Sequence, residues 1–211
     1  MQEQYGIKND ILTVAYYMDK NNWEGASKTN FQRVLYFTAV LSSVFLKNYQ
    51  WAYSFSNTMF GPMNTDISHE LEELCIKGLL DLVDRKILTT RVEERYKISE
   101  NGTYIVQNSF MKLESELPKI LWIETIVKVL SIYGEKFLSK LIKEDPNISI
   151  MNSGNQNTKI PMGNTNDNLS KEVFEYLESN GKEKFELEDL NDEEYLIMFF
   201  DLLYRKYKGG N

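Results

Sequence analysis

Cysteine and histidine are almost missing from this sequence: its 211 residues include one of each. A lone cysteine, Cys75, cannot close an internal disulfide, which points to a reducing, cytoplasmic setting. A lone histidine, His69, has no second histidine or cysteine with which to build a zinc-type ligand set. No stretch approaches the roughly 20 apolar residues that a membrane helix needs. The most apolar run, Tyr195 to Tyr204, is short and interrupted by Asp201. The opening MQEQYGIKND has no basic region followed by an apolar one, so no signal peptide is expected. The glycine signatures GxxxxGKS/T, GxGxxG and GxSxG do not occur. Acidic pairs such as Glu72/Glu73 and Glu193/Glu194 point in different directions on a helix and read as solvated faces. These absences predict a chain with no catalytic residues, no metal, no cofactor, no small-molecule substrate and no membrane contact.

Net charge is −7, and it is unevenly spread. Residues 1–144 carry 17 Lys+Arg against 18 Asp+Glu, a net of −1, while residues 145–211 carry 7 against 13, a net of −6. Nucleic-acid affinity rests on cations that neutralise phosphates, and neither half offers an excess of them.

What is present is a series of helical patterns. Ile7, Ile11, Val14, Ala15 and Met18 share one face of a helix over 7–20. Phe31, Val34, Leu35, Thr38, Leu41 and Phe45 do the same over 29–47, with Thr29 or Asn30 as cap. Trp51 to Phe55 alternates like a strand, and Phe60-Gly61-Pro62 breaks the chain. Asn64 or Thr65 caps a third helix whose apolar face is Ile67, Leu71, Leu74 and Cys75, and Gly78 ends it. A strand over 79–83, a loop over 85–90 and a returning strand over 92–98 form a wing. Helices over 100–113 (capped by Ser99), 119–131 (opened by Pro118) and 135–143 complete the body. The predicted fold is mainly α: a winged helix-turn-helix body with a two-stranded wing, plus a C-terminal helical pair.

Residues 145–168 hold seven asparagines, two glycines and two prolines, a composition that reads as a flexible linker. As a coil it would span roughly 27 Å. Helices over 170–179 and 192–207 follow, with Ser170 and Asn191 as caps and Glu194 completing a capping box. The expected units are therefore a body at 1–144, a linker at 145–168 and an acidic two-helix module at 169–211.

Three candidate contact sets emerge. The helix at 65–77 carries Asp66, Glu70, Glu72 and Glu73 against Lys77, which repels phosphate and makes Glu70 and Glu73 candidates for a protein interface. The wing offers Arg85, Lys86, Arg91 and Arg95 for a weak DNA contact. The last helix presents Tyr195, Phe199, Leu202 and Leu203 among more apolar residues than a two-helix unit can cover. Either it packs on the body or it docks on a partner.

KTNFQRVLYF at 28–37, FGPMNTDISHELEELCIKGLL at 60–80 and YKISENG at 96–102 together resemble a bacterial winged-helix family with the pattern LQKLLYF…YGP…L..L...GL…Y.LT..G. The likeness covers about residues 7–110. That family includes the middle components of ABC-three-component anti-phage systems, among them the small subunit of Lamassu systems. Panacea-type antitoxins share a similar opening. The resemblance implies a non-catalytic adaptor joining an SMC-like ATPase to an effector subunit, often a nuclease, with any DNA contact made mainly through the complex. A Panacea-like antitoxin and a winged-helix DNA-binding regulator are the alternatives.

Overall fold

A computed structural model describes residues 2–47, 49–87, 89, 92–151, 157–185 and 190–209. Its elements are α1 (Gln2–Lys20), β1 (Ala26–Ser27), α2 (Lys28–Val40), α3 (Ser42–Phe45), β2 (Ser56–Thr58), β3 (Gly61–Met63), α4 (Thr65–Ile76), β4 (Leu80–Ile87), β5 (Val92–Ile98), α5 (Glu100–Asn108), α6 (Leu117–Tyr133), α7 (Leu138–Glu144), α8 (Pro146–Met151), α9 (Leu169–Phe185) and α10 (Asp192–Gly209). The chain is mainly helical with a small antiparallel sheet.

Local caps explain several helix boundaries. Asn64 accepts from the Ile67 amide at 3.0 Å and Ser99 from the Gly102 amide at 3.0 Å, starting α4 and α5. Gly78, at φ +67°, ends α4: its amide bonds the Cys75 carbonyl while the Leu79 amide bonds that of Leu74. This is the paired closure of a Schellman motif, which needs the left-handed residue. Glycine is needed for another reason at Gly102, inside α5. A Cβ there would lie 2.2 Å from the Leu79 carbonyl oxygen, so the helix is pressed against the end of α4. Gly102 is thus a packing glycine rather than the turn residue its Asn-Gly context suggests.

The helix expected over 29–47 starts earlier and divides. Ser27, not Thr29 or Asn30, caps α2, and Leu41 separates α2 from the single turn of α3. Trp51 to Phe55 is not a strand; pairing begins at Ser56, opposite Met63. The helix expected over 100–113 stops at Asn108 and gives way to a 3-10 turn at Phe110–Lys112. Another such turn, Glu135–Phe137, precedes α7.

The larger sheet has the order β1-β5-β4, all antiparallel, with Ala26 opposite Tyr96 and Leu80 opposite Ile98. β4 runs on to Ile87, opposite Val92, so Arg85 and Lys86 stand on the strand rather than in a loop. Leu80 takes the core position at the start of this strand, while Leu79 is half-buried.

Residues 145–168 depart most from expectation, because their asparagines make specific long-range bonds. Asp145 is buried and accepts from the Tyr36 hydroxyl and the Ser170 hydroxyl, each at 2.7 Å. Asn168 donates to the Val40 carbonyl at 2.9 Å, accepts from Asn147 at 3.0 Å, and caps α9 by accepting from the Lys171 amide at 3.3 Å. Ser170, the expected cap, is committed to Asp145 instead. The Asn57 amide donates to the Thr158 carbonyl at 2.9 Å and the Ile160 amide to that of Phe55 at 2.8 Å. Residues 152–156 of this segment lie outside the described residues.

The acidic tail is likewise built into the body. Tyr195, Leu196, Phe199, Phe200 and Leu203 of α10 are buried in the same apolar cluster as α1, α2 and α6. The Phe200 ring meets that of Phe37 edge-on at 5.0 Å, and the Tyr133 hydroxyl donates to Asp201 at 2.8 Å. The capping box of α10 forms as expected, with Asn191 and Glu194 each bonding the other's amide. Its wide apolar face is covered by α6, α7 and α9 together, which corrects the reading of 169–211 as a module held away by a coil. Among the described residues no helix is long and apolar enough to cross a membrane.

Candidate interaction site

The acidic face of α4 is held by cations from elsewhere in the chain. Lys8 of α1 reaches Glu70 at 3.1 Å and Glu73 at 2.5 Å, and Lys77 meets Glu73 at 3.0 Å. Lys28 pairs with Glu72 and, at 3.1 Å, with Glu94 of β5. Hydrogen bonds from Lys8 and Lys77 hold the Glu73 carboxyl at about 2, well below the ordinary glutamate range. Glu70 is buried, so it is no free interface carboxylate. His69, Glu70 and Glu73 do place one ligand atom each within 4.8 Å of the others. The Lys8 ammonium, however, is already within 3.1 Å of both carboxylates, so their charge is met without a metal ion. Cys75 is half-buried against the core. Nothing in the local sequence around 70–73 could have indicated Lys8, more than 60 positions away.

Each wing cation described has a carboxylate within 4 Å, though Arg85 shares Glu94 with Lys28. Arg85 lies 3.6 Å from Glu94, and Lys86 3.1 Å from Asp84. Arg95 grips Glu135 with two bonds, at 3.0 and 2.7 Å, and donates to the Gly25 carbonyl at 2.6 Å. Lys97 pairs with Asp19 at 2.8 Å. Arg91 lies outside the described residues. The bidentate Arg95–Glu135 pair is half-buried and leaves Arg95 little to offer a phosphate, whereas the exposed pairs of Arg85 and Lys86 only partly offset their charge. Beside these exposed charges the wing also presents apolar side chains to solvent. Leu82, Val83, Ile87 and Val92 are all open to solvent, Ile87 at 79 %.

Of the residues expected on the last helix, Tyr195, Phe199 and Leu203 are buried and only Leu202 is exposed. They belong to the core and offer no free surface.

One buried charge cluster stands apart from these surfaces. Asp10 of α1 and Lys119 of α6 pair at 2.9 Å, and Glu116 meets the same ammonium at 2.7 Å. Burial pushes the Asp10 carboxyl up to about 6, against the pull of Lys119. This cluster ties α1 to α6. Sequence reasoning passed it over because a single charge inside an apolar helical pattern carries no local mark of its partner.

Finally, a cleft of about 940 Å³ opens between the start of α2, the β2–β3 turn, the wing and α7. A scan against models of known protein families and a search of curated proteins returned no match to this chain.

Proposed function

We propose that this chain is a non-catalytic adaptor with a winged helix-turn-helix body, and that its wing docks on a protein partner. The element order supports the winged-helix reading: α1, the short strand β1, α2 with the single turn of α3, the small β2–β3 hairpin, α4 and then the β4–β5 hairpin, with β1 paired to the returning strand β5. The observation that carries the functional reading is the wing itself. Its described cations each have a carboxylate beside them, and Leu82, Val83, Ile87 and Val92 face solvent with no apolar cover. Large exposed apolar side chains clustered on one projection mark contact with protein rather than with phosphate. The resemblance over 7–110 suggests the partners: an SMC-like ATPase and an effector subunit of a bacterial anti-phage complex. DNA would then be contacted mainly through the ATPase.

The test is co-expression with the proteins encoded beside this chain's gene, followed by pull-down. Wild type should retain an SMC-like neighbour. Ile87→Lys with Val92→Glu, opposite charges at facing positions of the hairpin, should lose it while melting like the parent, because neither side chain is in the core. Retention of every partner by that variant would place the interface elsewhere. Capture of a small toxin in place of an ATPase would favour the antitoxin reading.

A further inference from the structure

We propose that the cleft between α2, the wing and α7 binds a small phosphorylated ligand of the nucleotide class. This goes beyond the adaptor reading and does not depend on it. The cleft holds about 940 Å³, at the upper end of the range for small-molecule sites. Six cations and four carboxylates line it, an excess of positive charge in a chain whose net charge is −7.

The carboxylates are all engaged. Glu135 is held by Arg95 and Asn30, Glu94 by Lys28 and Arg85, Asp84 by Lys86, and Glu93 has a partner too. Three lining cations remain with no carboxylate in salt-bridge range among the described residues: Arg33, Lys136 and Lys143. Arg33 is the telling one. It is half-buried, and one guanidinium nitrogen donates to Asn30 at 2.8 Å. Glu135 attracts it through charge, but the direct contacts of that carboxylate are with Arg95 and Asn30. A guanidinium desolvated without a carboxylate is costly unless an anion meets it. The first turn of α2 adds to the same field, since Lys28 and Thr29 line the cleft and the helix dipole favours negative charge there.

The rim indicates what the anion is attached to. Met59 and Phe60 sit at the tip of the β2–β3 turn, lining the cleft, and Phe60 is 63 % exposed. The tip is fixed: Thr58 Oγ1 donates to the Gly61 carbonyl at 2.8 Å and accepts from the Phe60 amide at 3.2 Å. An exposed aromatic ring held beside unpaired cations suits a flat base carried on a phosphate.

Titration calorimetry of the full chain with AMP, ATP, adenosine and inorganic phosphate tests this. AMP and ATP should bind, with adenosine and phosphate each weaker by about tenfold or more. Lys136→Glu with Lys143→Glu changes two exposed side chains, so it should melt like the parent and lose about tenfold or more in nucleotide affinity. Phe60→Ala should weaken AMP binding and leave phosphate binding unchanged. No heat from AMP or ATP at millimolar concentration overturns the site, as does undiminished binding by the double-lysine variant. Phosphate binding as tight as AMP overturns the nucleotide class. Binding of duplex DNA without any of mononucleotide would do the same.

Discussion

Phe200→Ala should destabilise the whole chain, not only its last helix. The ring is fully buried and meets three others: Phe37 at 5.0 Å, Phe199 at 5.4 Å and Tyr133 at 6.2 Å. Phe37 lies in α2, which is buried along most of its length, so the lost contacts reach the centre of the body. A buried Phe→Ala change costs about 3–5 kcal/mol through lost transfer energy and the cavity left behind. For a chain of this size, about 2–4 °C is lost per kcal/mol, which gives a midpoint about 6–20 °C lower. Because tail and body share one core, both should unfold in a single transition, seen alike by far-UV circular dichroism and tryptophan fluorescence. Leu202→Ala, on the exposed side of the same helix, should shift the midpoint far less. A Phe200→Ala variant that melts within about 2 °C of the parent, or a body transition unmoved while the tail melts early, would refute the shared core.

Further outcomes follow from the same contacts. Asn168→Ala removes the partners of the Val40 carbonyl and of the Asn147 amide, and should cost about 1–3 kcal/mol in urea unfolding. In the parent, the Asn57 and Ile160 amides should be protected from hydrogen exchange; coil-like exchange there would contradict the packing of residues 157–160. Asp10, raised from 3.8 to about 6 by burial, keeps its proton in the folded chain at a pH where the unfolded chain has lost it. Its contribution is therefore fully present below about pH 4 and falls away as pH rises through about 6. Asp10→Asn should flatten the stability curve in that window, and an unchanged slope in urea titrations would contradict the assignment. With its wing cations paired, the isolated chain should bind duplex DNA only weakly and lose that binding quickly with added salt; tight, sequence-selective binding at about 150 mM salt would argue for a DNA-binding regulator.

Legibility in the sequence follows the range of each interaction. Asn64, Ser99, Gly78 and the Asn191/Glu194 box act within a few residues of themselves, so the elements they bound could be read directly. The apolar faces were readable too: Ile67, Leu71 and Leu74 are buried as their spacing requires. Strand β1 was not, because two residues carry no periodicity and exist as a strand only through Tyr96 and Arg95 opposite. Residues 145–168 failed for a related reason. Asparagine is common in coils because it bonds backbone locally, but Asn147 and Asn168 use the same groups on partners about 20 and more than 100 positions away. The candidate site suffered most. Lys8 with Glu70 and Arg95 with Glu135 join segments far apart in sequence, so surfaces that read as charged are in fact neutralised.

On the proposed adaptor reading, that neutralisation changes which side chains are left to bind a partner. Once the tail is part of the core, the affinity that its phenylalanines would have supplied must come from side chains still in solvent. They are spread over several elements, Ile76 of α4, Phe60 of the β2–β3 turn and Tyr104 of α5 among them, and two groups stand out. The wing contributes Ile87 and Val92; the outer side of α6, with the turn before it, contributes Leu113, Leu121 and Ile132. α6 is apolar on nearly every side, a pattern that otherwise belongs to a helix covered all round. Lys128, on its outer side, pairs with Glu193 at the start of α10, so part of that side is already covered. Joining two proteins requires two surfaces, and a single exposed tail would have offered only one. On that reading the wing and the open length of α6 would supply the two surfaces, both within the described fold.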